Sequence, residues 1–154
     1  MCSARPVSIG SLTSLQAGTV GESLPEYLQY RMGGANSIRG YQIDTLGREL
    51  YGTRQWIVTT EYRHAVVPLR EFRFRQWSVS AGLDVAGFVD WGIAWSGTDE
   101  FGLERAHTGG GLGLRFLLPA VLEVRTDVAI GSSGDIIFHL GVGDKLNEQR
   151  ARLR

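Results

Sequence analysis

The feature that most constrains the fold is the run from Trp77 to Trp95, in which every second residue is apolar or glycine and the residues between them, apart from Phe88, are polar or small. A period of two residues places alternate side chains on opposite faces of a β-strand. The run is far longer than the usual strand of about five to six residues. A tilted strand that crosses a bilayer needs about 9–11 residues. The segment therefore predicts a long strand with one apolar face.

Four further segments alternate in the same way, and they cover residues 55–66, 111–118, 122–130 and 136–143. In a soluble protein the apolar faces would form the core, whereas in a membrane barrel they would meet lipid. Trp77 at one end of its strand and Trp91 and Trp95 at the other match the aromatic girdles of membrane barrels. Periodicity alone does not separate the two architectures.

The lengths of the predicted connections favour the membrane barrel. The links are long over 21–52, medium over 68–76, long over 96–107, tight at Pro119-Ala120 and short over 131–134. Outer-membrane barrels alternate short periplasmic turns with longer outer loops, and the first four links follow that alternation. We therefore expect a membrane barrel rather than a soluble sheet.

Composition argues against several classes of function. Sixteen basic and sixteen acidic residues give a formal net charge of zero, which offers no case for nucleic-acid binding. The single cysteine excludes an internal disulfide framework and a cysteine-based zinc site. The three histidines are scattered without metal-ligand spacing, and no catalytic constellation is present. We expect a protein that is not an enzyme and that needs no cofactor or metal.

The most informative polar segment is 33–41, which reads Gly-Gly-Ala-Asn-Ser-Ile-Arg-Gly-Tyr. Its glycines let the backbone turn tightly, and Arg39 offers a rigid fork of donors suited to a carboxylate. The alternation places Glu61 and Asp90 on the face opposite the apolar residues, where an inward-folded loop would deliver Arg39. We infer a latch in which Arg39 binds Asp90 and Glu61. From spacing alone, an ordinary solvated loop arginine is an equally good interpretation.

Taken together, these segments resemble the C-terminal part of the BamA/TamA family, the bacterial surface antigen barrels. Residues 38–41, Ile-Arg-Gly-Tyr, are similar to the Val/Ile-Arg-Gly-Phe/Tyr tip of that family's long sixth extracellular loop. Residues 88–92, Phe-Val-Asp-Trp-Gly, resemble its Phe-x-Asp-x-Gly strand, and 60–63 resemble the strand with a lumen-facing acid. Segments 111–116, 122–130 and 138–141 resemble the last strands, so that the resemblance covers about 25–143. The motif residues besides the latch itself are Gly33, Gly34, Ile38, Gly40, Tyr41, Phe88 and Gly92.

The resemblance implies an all-β fold: an antiparallel transmembrane β-barrel segment with a long loop folded into the lumen. We expect about five strands of a larger, roughly sixteen-stranded barrel over 25–143. A partial strand or linker is expected within 1–24, with a strand remnant around 13–19, and a polar tail over 144–154. That tail departs from the aromatic residue with which family members end.

The resemblance also implies a role in the outer membrane of a Gram-negative cell, or of an organelle of such origin. Such barrels insert or translocate other outer-membrane proteins, without a cofactor. Their partners would be the lipid bilayer, client outer-membrane or secreted polypeptides, and periplasmic domains that this chain lacks. Three alternatives remain: a secretion pore, a membrane anchor for a fused passenger enzyme, and a soluble β-sheet binding module.

Overall fold

A computed structural model describes residues 9–21, 25–42, 51–74, 77–97, 101–118 and 122–143. Within these ranges the chain consists of strands and two short 3₁₀ turns, and no helix is long and apolar enough to cross a membrane. The strands are β1 (Ile9–Thr19), β2 (Tyr30–Arg31), β3 (Tyr51–Gly52), β4 (Arg54–Phe74), β5 (Trp77–Trp95), β6 (His107–Leu118), β7 (Leu122–Gly131) and β8 (Ile136–Val142). The 3₁₀ turns are Glu26–Leu28 and Leu103–Arg105. The predicted tail over 144–154 and the turn at 119–120 lie outside the described residues.

Six of these strands form one antiparallel sheet in the order β1-β4-β5-β6-β7-β8. From β4 to β8 each strand pairs with the next in the chain, which is the up-and-down order of a barrel wall. The two short strands β2 and β3 pair with each other in a separate ladder. The predicted all-β, antiparallel barrel segment is confirmed. β1 pairs with β4 over its whole length, from Ile9↔His64 to Thr19↔Arg54, and so extends well beyond the remnant expected around 13–19.

The apolar face of the sheet is exposed and the charged face is buried, which is the reverse of the arrangement in a soluble protein. On β5, Val89 is 55 % exposed whereas the adjacent Asp90 is fully buried. On β6, Leu112 and Phe116 are exposed whereas Arg115 is buried. Apolar side chains thus point outward and charged side chains point inward, beneath the loop. A wall that meets lipid on the outside and encloses a polar lumen has this arrangement.

The pairing of β4 with β5 shows that one predicted connection was wrong. The medium link expected over 68–76 is strand as far as Phe74, and the ladder continues to the pair Phe74↔Trp77. Two register shifts interrupt the ladder, between Ala65 and Val67 and between Val67 and Arg70. A β-bulge inserts an extra residue without ending the strand. The segment therefore remains strand although its proline and charged residues are typical of a loop.

A small apolar cluster fixes the loop over 32–42 against the inner face. It consists of buried side chains from the loop, from β4 and from β5: Met32, Ile38, Tyr41, Ile57 and Ala94. Burial of such side chains is the main favourable term in folding. The cluster therefore positions the loop so that its polar residues face the strands.

Candidate functional site

Two glycines allow the loop to fold back on itself. Gly33 and Gly34 have φ angles of +115° and +80°, in the left-handed region that other residues adopt at a cost. The Gly34 N–H donates to the carbonyl of Tyr41 at 2.6 Å, and the Ser37 N–H donates to the carbonyl of Gly34 at 3.2 Å. These bonds close a compact turn that presents Arg39 to the inner face of the sheet.

Arg39 binds Asp90 of β5 through both its side chain and its backbone. Its Nε donates to Oδ2 at 2.7 Å and its Nη2 donates to Oδ1 at 3.0 Å. The backbone N–H of Arg39 donates to Oδ2 at 3.0 Å. Both side chains are completely buried. A bidentate pair between an arginine and a carboxylate is strong and directional.

The same guanidinium reaches two further strands. Its Nη1 donates to Oε2 of Glu61 on β4 at 2.9 Å and lies 3.6 Å from Oδ2 of Asp127 on β7. Its central carbon lies 3.4 Å from the centroid of the Phe88 ring, as in a cation–π contact. Arg39 therefore ties the loop to β4, β5 and β7 at once.

A second buried arginine, Arg115 of β6, completes the polar cluster. It donates to both oxygens of Glu61, at 3.3 and 2.9 Å, and to Oδ1 of Asp127 at 2.6 Å. Arg63, at the margin of the cluster, donates to Oε1 of Glu61 at 2.7 Å. Glu61 thus accepts hydrogen bonds from three arginines. Buried charges are tolerated when they are paired and hydrogen-bonded. Both oxygens of Glu61 meet these conditions, whereas Oδ2 of Asp127 has only the ion pair with Arg39 and no hydrogen bond among the described residues.

The backbone next to Arg39 packs directly against the strands. A Cβ atom added to Gly40 would lie 2.6 Å from the backbone N of Gly131, and one added to Gly131 would lie 2.5 Å from the carbonyl oxygen of Gly40. A Cβ on Gly109 of β6 would lie 3.2 Å from the Gly40 nitrogen. Glycine at these three positions lets two backbones meet without side chains between them. The close approach holds the loop tip against β6 and β7.

Tyr41 forms a separate anchor at the turn between β7 and β8. Its hydroxyl accepts a hydrogen bond from the Ser132 N–H at 2.9 Å, shares one with the Ser132 hydroxyl, and donates to the carbonyl of Thr108 at 3.3 Å. Its ring meets that of His107 edge to face, with the centroids 5.3 Å apart. Tyr41 therefore holds the loop at the turn, apart from the contacts of Arg39 in the lumen.

The structure brings together the residues that the sequence selected for the latch. Arg39, Glu61 and Asp90 share one hydrogen-bonded cluster. Of the other motif residues, Phe88 underlies the guanidinium, and Gly92 leaves room for Ile38, because a Cβ there would lie 2.8 Å from Cδ1 of Ile38.

Neither Arg115 nor Asp127 was among the residues predicted for this site. The signal that could have found them is the alternation itself, because each is a charged residue on the inward face of a predicted strand. Gly109 and Gly131 were also missed. Their role depends on which strand residues the loop contacts, and no local sequence pattern reveals those contacts.

The chemistry of the cluster is that of ion pairing. Every carboxylate in it lies against an arginine. Within the part of the chain that the structure describes, no group of three or more His, Cys, Asp or Glu residues is placed to hold a metal ion. The arrangement holds the loop against the inner face of the sheet by ion pairs.

Comparison with known protein families gives one match. The family model described as the Omp85 superfamily domain matches residues 7–145, which includes all eight strands and the loop. No curated protein and no solved structure matches the chain significantly.

Proposed function

Because the chain belongs to the Omp85 superfamily, we propose that it forms part of the wall of an outer-membrane barrel that inserts or translocates other polypeptides. Superfamily members act generally in protein insertion and translocation, at the outer membranes of Gram-negative bacteria and of organelles. The clients of this barrel would be outer-membrane or secreted polypeptides. Its outward apolar face supports a place in the bilayer rather than the alternative of a soluble binding module.

The observation that carries the proposal is the complete burial of Arg39 between Asp90 and Glu61. A solvated loop arginine would keep its charge in water, whereas this one is held by carboxylates from two strands. Breaking a buried pair by removing one partner costs roughly 3–5 kcal/mol. This burial supports the proposal that Arg39, bound by the two acids, latches the loop inside the barrel.

The latch would hold the loop in place during strand exchange with a client, and it would take part in no chemical reaction. Among the described residues, β1 and β8 each have one edge without a strand partner. An unpaired edge offers a row of N–H and C=O groups to which a client strand can add. β8 pairs with β7 over only seven residues, from Ile136 to Val142, and is the shortest strand of the sheet. The latched loop would support the inner face of this wall while β8 exchanges partners.

The test is a double-mutant cycle on the latch in the complete gene product. Arg39→Ala, Asp90→Ala and the double variant are compared for barrel assembly, by heat-dependent mobility on gels, and for insertion of a β-barrel client. We expect each single substitution to impair both, and the double variant to be no worse than either. Arg31→Ala, an exposed residue of the same connection, is the matched control. A silent Arg39→Ala beside a damaging Asp90→Ala would overturn the latch.

Two alternatives share the barrel and differ in what it serves. A secretion pore would pass a soluble polypeptide and would leave β-barrel insertion unaffected when the latch is broken. An anchor for a fused passenger enzyme would keep the passenger on the cell surface, and it would neither insert a β-barrel client nor secrete a soluble one. Parallel assays of a β-barrel client and a soluble secreted client therefore separate the three roles.

A further inference from the structure

Among the described residues, the pairing of β4 with β5 continues beyond the pairing of β4 with β1 and of β5 with β6. The last residue of β5 that pairs with β6 is Gly82, and the last residue of β4 that pairs with β1 is His64. Residues 70–74 and 77–81, here named the β4–β5 ribbon, pair only with each other among the described residues. Five pairs at about 3.3 Å per residue give the ribbon a length of roughly 16 Å beyond the described pairing with β1 and β6.

The ribbon has two chemically different faces. Cross-strand partners lie on the same face of a ladder, and successive pairs alternate between faces. The pairs Phe72↔Val79 and Arg70↔Ala81 share one face, while Glu71↔Ser80 and Arg73↔Ser78 share the other. Phe72 is 53 % exposed and Val79 is 43 % exposed.

The apolar face of the ribbon continues the outward face of the barrel wall. Along β5, Val79 falls in the same alternate series as Val89, which is 55 % exposed on the outward face. The described pairing of β5 with β6 ends at Gly82, so the ribbon would carry its apolar face past the band that faces the acyl chains. The apolar face of the ribbon would then lie at the boundary between acyl chains and headgroups.

The base of the ribbon contains the two register shifts of the β4–β5 ladder, between Ala65 and Val67 and between Val67 and Arg70. Bulges bend a strand and increase its twist. At the same place the backbone of Leu69 approaches Gly82, where an added Cβ would lie 3.1 Å from the Leu69 Cα. A bend at this point would let the ribbon leave the barrel axis and lie along the membrane surface.

Charge is concentrated at the ribbon although the chain as a whole is neutral. Between positions 70 and 76 the sequence has three arginines, Arg70, Arg73 and Arg75, against the single acid Glu71. Arginine binds phosphate through its planar fork, and a basic segment at a membrane surface attracts anionic lipids. Arg70 lies on the apolar face beside Phe72, where its stem can cover apolar surface while its charged end reaches the headgroups.

We infer that the β4–β5 ribbon is a second membrane contact, whose apolar face lies in the headgroup boundary of the adjacent leaflet and whose Arg70 binds the phosphate of an anionic phospholipid. This inference rests on the proposed place of the barrel in a membrane. In that orientation the tight-turn end faces the periplasm, so the leaflet concerned is the periplasmic one. The contact would fix the tilt of β4 and β5, and therefore of the strands that carry Glu61 and Asp90.

The experiment places a fluorescent probe on each face of the ribbon. Cys2, the single cysteine, is changed to Ser in the complete gene product, and Val79→Cys or Ser80→Cys is then labelled with an environment-sensitive dye. The protein is reconstituted in phosphatidylcholine vesicles with or without phosphatidylglycerol, together with lipids that carry a quencher near the headgroup. Val89→Cys, on the outward face within the wall, reports insertion by the same readout.

We expect the Val79 probe to be blue-shifted and quenched, the Ser80 probe to remain unquenched, and the Val89 probe to be quenched by a deeper label. A Val79 probe that behaves like the Ser80 probe, while the Val89 probe is quenched, would overturn the ribbon contact and leave the barrel intact. A Val89 probe that reports water would contradict membrane insertion and with it both proposals.

Arg70→Gln tests the lipid charge separately. We expect it to lower the ratio of membrane-bound to water-exposed ribbon about fivefold in vesicles with phosphatidylglycerol, and to leave it unchanged in pure phosphatidylcholine. An equal effect in both lipids, or no effect in either, would overturn the assignment of Arg70 to a phosphate of an anionic lipid.

Discussion

Arg39 donates three hydrogen bonds to the one carboxylate of Asp90, two from its guanidinium and one from its own backbone N–H. The side-chain bonds fix the position of the guanidinium, and the backbone bond fixes the path of the loop. Asp90 therefore binds both the guanidinium of Arg39 and the loop backbone at the same residue. Recognition of this kind depends on the shape of the donor as well as on its charge.

Arg39→Lys should be damaging although it keeps the positive charge. A lysine ammonium cannot form the fork with Asp90 and also reach Glu61, since its donors radiate from a single atom. We expect a loss of stability that approaches the roughly 3–5 kcal/mol of a broken buried pair. The temperature at which the folded barrel loses its fast mobility on gels measures the effect. Arg31→Lys is the control, and equal mobility transitions for both variants would show that charge alone suffices.

Arg115→Ala should destabilise the wall because Arg115 binds carboxylates of β4 and β7. It leaves Glu61 and Asp127 buried with fewer partners, which costs energy comparable to that of a broken buried pair, roughly 3–5 kcal/mol. Its effect should be non-additive with that of Arg39→Ala, because both arginines bind Glu61. Urea unfolding followed by tryptophan fluorescence tests this. Strict additivity of the two free-energy changes would contradict a shared network.

Gly40→Ala should displace the loop through a single methyl group. The new Cβ would lie 2.6 Å from the backbone N of Gly131, and backbone atoms of a paired strand cannot move aside as a flexible side chain can. Overpacking of this kind costs typically about 1–3 kcal/mol. Protease sensitivity of the loop in the folded barrel measures the displacement. Gly21→Ala, in the same connection and with open space around its Cβ, is the matched control. Equal protection of the two variants would show that the close approach is not required.

Tyr41→Phe should loosen the turn between β7 and β8 while leaving the Arg39 contacts in place. The substitution keeps the ring against His107 but removes the hydroxyl that bonds Ser132 and Thr108. A net loss of about 0.5–1.5 kcal/mol per hydrogen bond is expected. Faster hydrogen exchange at the Ser132 amide measures the effect directly. Tyr27→Phe, at a residue 71 % exposed, is the control. Unchanged exchange at Ser132 in Tyr41→Phe would mean that the hydroxyl does not hold the turn.

Local periodicity identified the strands and their two faces. The alternation along β5 put Val89 and Asp90 on opposite sides, and the structure has one exposed and the other buried. This succeeds because side-chain direction in a strand follows from the backbone alone. The same local reading failed at 68–76, where Pro68 and nearby charges predicted a link. There the partner strand supplies hydrogen bonds that keep an irregular segment in the sheet.

The sequence by itself determined the fold class, the inward face of each strand, and a glycine-flanked arginine able to grip a carboxylate. The tertiary structure decided which charges meet. Glu61 lies opposite Phe88, two positions from Asp90, because of the register between β4 and β5, and Asp127 lies opposite Gly113 because of the register between β6 and β7. Those registers arise from hydrogen bonds between residues far apart in the chain. They also determine which strand residues the loop contacts. A period of two residues specifies a face, whereas only the pairing of strands specifies a neighbour.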